Sequence, residues 1–136
     1  MIYLDSAAVV KLVRQESHSV ELVAWLDGHR DVPLVSSALV EVEVPRALRR
    51  SAPQALVGVP AAVGRLFRLE IDATIRAIAA AFAEPTMRSL DAIHLATAQV
   101  LANEAGATLT AFVTYDQRLL ASARTAGLPT ASPGVS

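Results

Sequence analysis

The chain has 136 residues, 53% of them apolar and 18% charged, and contains no cysteine. A domain of this size buries roughly two thirds of the surface its unfolded chain exposes, so packing alone can hold it, and the lack of cysteine excludes disulfides and thiolate zinc sites. Twelve basic against thirteen acidic residues give a net charge of −1, which excludes the strongly basic field that marks many nucleic-acid binders.

Short apolar or β-branched runs alternate with longer segments of helical period, the pattern of a single α/β domain with a mostly parallel sheet. The first strand is Ile2-Tyr3-Leu4, followed by a helix over Ala7 to Arg14 and a second around Val20 to Leu26. Pro33-Leu34-Val35 forms the next strand and Ala38 to Arg50 the next helix, with Pro45 removing one backbone donor inside it. Pro53 to Gly64 carries two prolines and two glycines in an apolar setting, which leaves a loop or a broken helix open. Phe67 to Ile71 is a strand, Ala73 to Ala83 and Leu90 to Glu104 are helices, and Ala111 to Thr114 is a strand leading into a helix over Gln117 to Ala126. Gly106 and Gly127 suit helix ends. A short fifth strand over Pro129 to Ala131 closes a domain spanning residues 1–131, and residues 132–136 read as a frayed tail. No apolar run approaches the roughly 18 residues of a membrane span, and Met1-Ile2-Tyr3-Leu4-Asp5 lacks the basic start and apolar stretch of a signal peptide. The expectation is a cytoplasmic protein that meets no membrane.

In a parallel α/β sheet, ligands bind beyond the carboxyl ends of the strands. Asp5, Asp72 and Asp116 all fall there, and each also precedes a helix, where aspartate is a preferred N-cap. Asp91 lies inside the apolar pattern Ser89-Leu90-Asp91-Ala92-Ile93-His94; with Ser89 as N-cap it occupies the first turn, where a carboxylate complements the helix dipole. Glu41 and Glu43 stand two apart on one helix and therefore point to different sides. Glu43 has Leu39, Val40 and Ala47 as its three- and four-residue neighbours and flanks the apolar face, whereas Glu41, beside Ser37 and Pro45, turns toward water. Glu43 is the site candidate. Four converging carboxylates without a counter-ion would repel one another and raise at least one pKa. A hard divalent cation reverses that, and oxygen ligands without a His or Cys cluster suit Mg²⁺ or Mn²⁺. Such an ion can activate water and hold a phosphate oxygen, so phosphodiester hydrolysis is the natural chemistry.

Four segments together carry a resemblance: Ile2-Tyr3-Leu4-Asp5-Ser6-Ala7-Ala8, Ser36-Ser37-Ala38-Leu39 leading to Glu43, Leu90-Asp91-Ala92-Ile93-His94-Leu95-Ala96, and Phe112-Val113-Thr114-Tyr115-Asp116. In this order and chain length they resemble the PIN-domain ribonucleases, and within them the VapC toxins of type II toxin–antitoxin pairs. The resemblance implies a three-layer α/β/α sandwich with a four- or five-stranded parallel sheet. It also implies Mg²⁺- or Mn²⁺-dependent endonucleolytic cleavage of RNA by the quartet Asp5, Glu43, Asp91 and Asp116. Asp5 and Asp91 would be the principal metal ligands, with Glu43 and Asp116 holding a second ion or the attacking water. A homodimer and a VapB-type antitoxin are implied as partners.

Ser6 and Thr114 sit beside strand-end acids and can serve substrate or act as turn and cap residues. Arg46, one turn after Glu43, can meet substrate phosphate or pair with the glutamate. His94, one turn after Asp91, reads as a packed histidine rather than a general base. Two other readings keep the same fold: a non-catalytic interaction module, and an aspartate-dependent phosphatase. Against the latter, Ala7 stands where such phosphatases place a second aspartate, and the sole lysine, Lys11, precedes every late strand.

Overall fold

The structure, a computed structural model, describes residues 1–135. Five strands, β1 (Ile2–Leu4), β2 (Leu34–Ser37), β3 (Phe67–Leu69), β4 (Ala111–Val113) and β5 (Thr130–Ala131), form one sheet in the order β3-β2-β1-β4-β5. Every neighbouring pair is parallel. The helices are α1 (Ser6–Val13), α2 (Ser19–Asp27), α3 (Val40–Ser51), α4 (Val59–Gly64), α5 (Ala73–Ala81), α6 (Ser89–Ala102) and α7 (Gln117–Thr125).

Side chains alternate across a strand, and here the alternation divides the interior into two cores. Ile2, Leu4, Ala111 and Val113 pack with Val9 of α1, Leu22 of α2 and Val44 and Leu48 of α3. Tyr3, Val35 and Phe112 face the other way, against Leu95 and Ala98 of α6 and Leu119 and Ala123 of α7. A parallel sheet covered on both faces needs apolar residues at every central position; accordingly all three residues of β1 are 0% exposed. The result is the expected three-layer α/β/α sandwich.

The connections place the site. From β1 the chain moves outward through β2 to β3, then returns to lay β4 on the other side of β1. The carboxyl ends of β1 and β4 therefore flank the point where strand order reverses, the crevice in which open parallel sheets bind ligands. Register brings them level, with Leu4 opposite Val113.

Several local expectations are sharpened. Pro53–Gly58 is a 3-10 helix running into α4, so the broken-helix alternative is the one adopted. Pro60 lies in the first turn of α4, where its missing N–H has no intrahelical partner to lose. β2 continues to Ser37, and α3 starts only at Val40 because the Ser37 hydroxyl takes the Leu39 N–H at 3.1 Å in an intervening turn. β3 ends at Leu69, and the Asp72 carboxylate then caps α5 by accepting the Ile75 N–H at 2.9 Å.

The frayed tail is corrected over residues 132–135. Tyr115 donates its hydroxyl to the Pro133 carbonyl at 2.8 Å, and Ser132 donates to the Thr114 carbonyl at 2.6 Å. Gly134, at φ +95°, passes so close to His18 and Glu21 that a Cβ would lie 2.8 Å from the His18 ring. These contacts hold a segment whose Pro-Gly composition signals only a turn. The last residue of the expected tail, Ser136, lies outside the described residues. Among the described residues no helix is long and apolar enough to cross a membrane.

Candidate functional site

Asp5 follows β1 directly and is only 5% exposed. Its Oδ1 accepts the Ala8 N–H at 2.9 Å, capping α1. Capping and site placement are thus the same fact: the cap geometry turns the carboxylate into the crevice beside β4. Burial raises its pKa above the usual carboxylate range, and neighbouring Asp91 adds to this; the His94 ring, the Thr114 hydroxyl and the Ala8 N–H pull the other way without prevailing. A buried acid pushed toward protonation is one short of positive charge.

Asp116 caps α7 in the same manner. Its Oδ1 accepts the N–H groups of Arg118 and Leu119 at 2.9 and 3.1 Å. Thr114, fully buried at the end of β4, takes the Asp116 N–H on its hydroxyl at 3.1 Å and also contacts Asp5. One threonine therefore connects the two strand-end acids. Asp91 stands in the first turn of α6, 21% exposed at its side chain. The N-cap position of α6 is Arg88 rather than Ser89, and no side chain caps the helix. Arg88 has the extended backbone of a cap, φ −71° and ψ 150°, so Ser89 is already helical.

Glu43 and Glu41 part as their spacing requires. Glu41 pairs on the exposed side with Arg68 of β3 at 3.2 Å. Glu43 turns inward, where its Oε1 accepts from the Ser6 hydroxyl at 2.5 Å and from His94 Nε2 at 2.9 Å. His94 is 2% exposed, and its Nδ1 lies 2.7 Å from the Tyr3 hydroxyl. With Nε2 protonated, the Tyr3 O–H donates to Nδ1 and the ring N–H to Glu43, so no buried polar atom of the chain Tyr3–His94–Glu43 lacks a partner. Half-burial works to raise the Glu43 pKa, yet the hydrogen bonds from His94 and Ser6, with the electrostatic pull of the His94 ring and of the Arg88 charge, outweigh it and hold the carboxylate below its usual range. Tyr3 is driven far above the ordinary tyrosine value by burial and so remains a donor.

The guanidinium beside these acids is that of Arg88. Its Nε donates to Asp91 Oδ2 at 3.0 Å and its terminal nitrogen to Asp116 Oδ2 at 3.3 Å. Arg46, expected at phosphate or Glu43, is exposed on α3, and the bonds that Glu43 makes run to Ser6 and His94, both through Oε1. Arg88, Asp91 and Asp116 line a groove of about 740 Å³ together with Gln117 and Arg118. Asp72 serves α5 alone as a cap.

The structure thus brings Asp5, Glu43, Asp91 and Asp116, with Ser6 and Thr114, to one end of the sheet. Sequence reasoning gave His94 a packing role and missed that it fixes Glu43; a buried imidazole must find two partners, but which ones depends on the fold. It also missed Arg88, whose one available signal was its place three residues before Asp91 at a helix start. Among the described residues no three His, Asp or Glu side chains are gathered closely enough to hold one ion by themselves.

The PIN domain family model matches residues 2–125. Ribonuclease VapC35 of Mycobacterium tuberculosis (strain H37Rv) is 50% identical over 134 residues, covering 98% of this chain and 98% of the relative. Ribonuclease VapC46 of the same strain is 39% identical over 132 residues, 97% of each chain. Ribonuclease VapC47 of Mycobacterium tuberculosis (strain CDC 1551) is 38% identical over 137 residues, 98% of each.

Proposed function

This chain belongs to the PIN-domain family, as a VapC-type ribonuclease, and from that membership we propose a divalent-metal-dependent endoribonuclease acting as the toxin of a toxin–antitoxin pair. The observation that carries the reading is the convergence of four acids from four separate elements at the strand-order reversal, around a buried Asp5 pushed toward protonation. The donor set fits the implied Mg²⁺ or Mn²⁺, being all carboxylate and hydroxyl oxygen apart from His94, whose two nitrogens are already engaged. Mg²⁺ commonly takes one or two carboxylates and keeps several waters, so a closed cage of three protein ligands is not required.

Asp5 and Asp91 would hold the ion, with Asp116 and Glu43 serving a second ion or the water that attacks. Such an ion, when bound, neutralises charge on a phosphate oxygen and acidifies water. The chain's own residues supply the rest. Ser6 and His94 fix the Glu43 carboxylate and keep it ionised, which suits it to orient a water or help hold a second ion rather than to take a proton. Thr114 holds Asp5 and Asp116 in mutual register. Arg46, exposed one turn along α3, is assigned to the RNA backbone. Partners follow from the same membership: RNA as substrate, a VapB-type antitoxin, a second copy in a homodimer, and a cytoplasmic location.

The test is cleavage of RNA by purified protein with Mg²⁺ or Mn²⁺, against EDTA and against the variants Asp5→Asn and Asp91→Asn. Chelation abolishes cleavage, and each variant loses on the order of a hundredfold or more, the scale of losing a catalytic metal's ligand or a positioned charge. Cleavage that persists in EDTA, or at full rate in both variants, overturns the reading.

A further inference from the structure

The acids of the site are not free. Asp116 commits Oδ1 to two N–H groups of its own helix, which leaves Oδ2 as the oxygen available to anything outside the chain. Arg88 occupies that oxygen at 3.3 Å, and at 3.0 Å its Nε also holds Oδ2 of Asp91. A single guanidinium therefore spans carboxylates from two different helices, each at its helix N-terminus. Arg88 is itself 75% exposed, so little packing secures it there, and it can swing into the adjoining groove without disturbing the core.

We infer that Arg88 is a tethered counter-cation of the catalytic site, occupying the Asp91 and Asp116 oxygens that a divalent ion needs and competing with that ion for them. The inference rests on the metal-site reading above. It follows from charge and geometry together. A positive group at hydrogen-bond distance from both oxygens must leave before a hard cation can take them, and two like charges cannot share one pair of oxygens at such separations. Arginine is suited to this role because its planar fork reaches two carboxylates at once, which a lysine ammonium does less well, and because it never deprotonates to yield the place. The consequence is a site that carries its own weak neutralising charge before metal arrives, holds metal less tightly than its acids alone would, and presents a displaced guanidinium at the groove once metal is bound.

The experiment measures Mn²⁺ binding to the full chain at fixed low ionic strength, by the electron paramagnetic resonance signal of free Mn²⁺, with no RNA present. Wild type is compared with Arg88→Gln, Arg88→Lys and Arg118→Gln; the last removes an equal charge from the same groove. Arg88→Gln binds Mn²⁺ roughly five- to tenfold more tightly, the scale of two partly exposed charge-assisted contacts, Arg88→Lys falls between it and wild type, and Arg118→Gln stays within about twofold. Unchanged or weaker binding in Arg88→Gln overturns the inference, as does an equal gain in Arg118→Gln, which would reduce the effect to net charge. The double variant Asp5→Asn/Asp91→Asn separates this from the underlying reading. Mn²⁺ binding that survives there defeats the metal site itself, whereas binding lost there but not gained in Arg88→Gln defeats the competition alone.

Discussion

At the scale of single residues, a helix of known phase decides between two glutamates two positions apart. Glu41 ends in an exposed pair with Arg68, and Glu43 ends on Ser6 and His94. The flank of the apolar stripe was enough to tell them apart, because a helix turns about 100° per residue and only one of the pair can face the sheet. Glu43→Gln is therefore expected to lower metal-dependent RNA cleavage by about a hundredfold, the scale of losing a positioned charge at the reacting centre. Glu41→Gln should leave cleavage intact and shift stability by less than roughly 0.5 kcal/mol, as befits a surface ion pair. Cleavage rates and urea unfolding of the two variants check both. What no residue count discloses is the partner of Glu43: His94 lies 51 positions away, and its ring is aimed by Tyr3 of the first strand.

At the scale of elements, caps and breaks were legible because they depend on neighbours a few residues apart. Asp5, Asp72 and Asp116 each accept N–H groups two or three residues on, whatever else they do. Pro45 is the exception to local economy, since it sits in the sixth position of α3 and denies the Glu41 carbonyl its helical donor. An interior proline costs a helix about 3 kcal/mol, while the stiffer unfolded chain returns roughly 0.4–1 kcal/mol. The first term is larger, so Pro45→Ala should stabilise the protein, by about 1–2 kcal/mol after relaxation, and raise the thermal midpoint by several degrees. Calorimetry of the variant checks the sign. Element ends were less legible: the turn at Ala38–Leu39 and the early end of β3 at Leu69 answer to one another, the Ala38 N–H donating to the Leu69 carbonyl at 2.8 Å. Such a bond joins residues 31 apart and leaves no trace in either segment.

At the scale of the molecule, two cores share one sheet, and the layer around Tyr3 and Phe112 supports both packing and site. Their rings stack at 5.2 Å with 9° between planes, and Tyr3 carries the hydroxyl that orients His94. Phe112→Ala should cost about 3–5 kcal/mol, a large share of the roughly 5–15 kcal/mol that holds a domain of this size, with urea unfolding as the measure and cleavage falling in parallel as the Tyr3 ring loses its support. The near-zero net charge also reads differently for the whole chain than for its parts. Four acids gathered at one end of the sheet leave a body in which arginines predominate, so a balanced total conceals an acidic crevice in a mildly basic surface. The sequence by itself determined the alternation of strands and helices, the acids at the strand ends and which glutamate of α3 turns inward, because periodicity and capping act over a few residues. Only the tertiary structure decided that His94 fixes Glu43, that Arg88 bridges Asp91 and Asp116, and that the tail is held by Tyr115 and Thr114. Those contacts join residues far apart in the chain, and their partners are chosen by the order in which the strands pack.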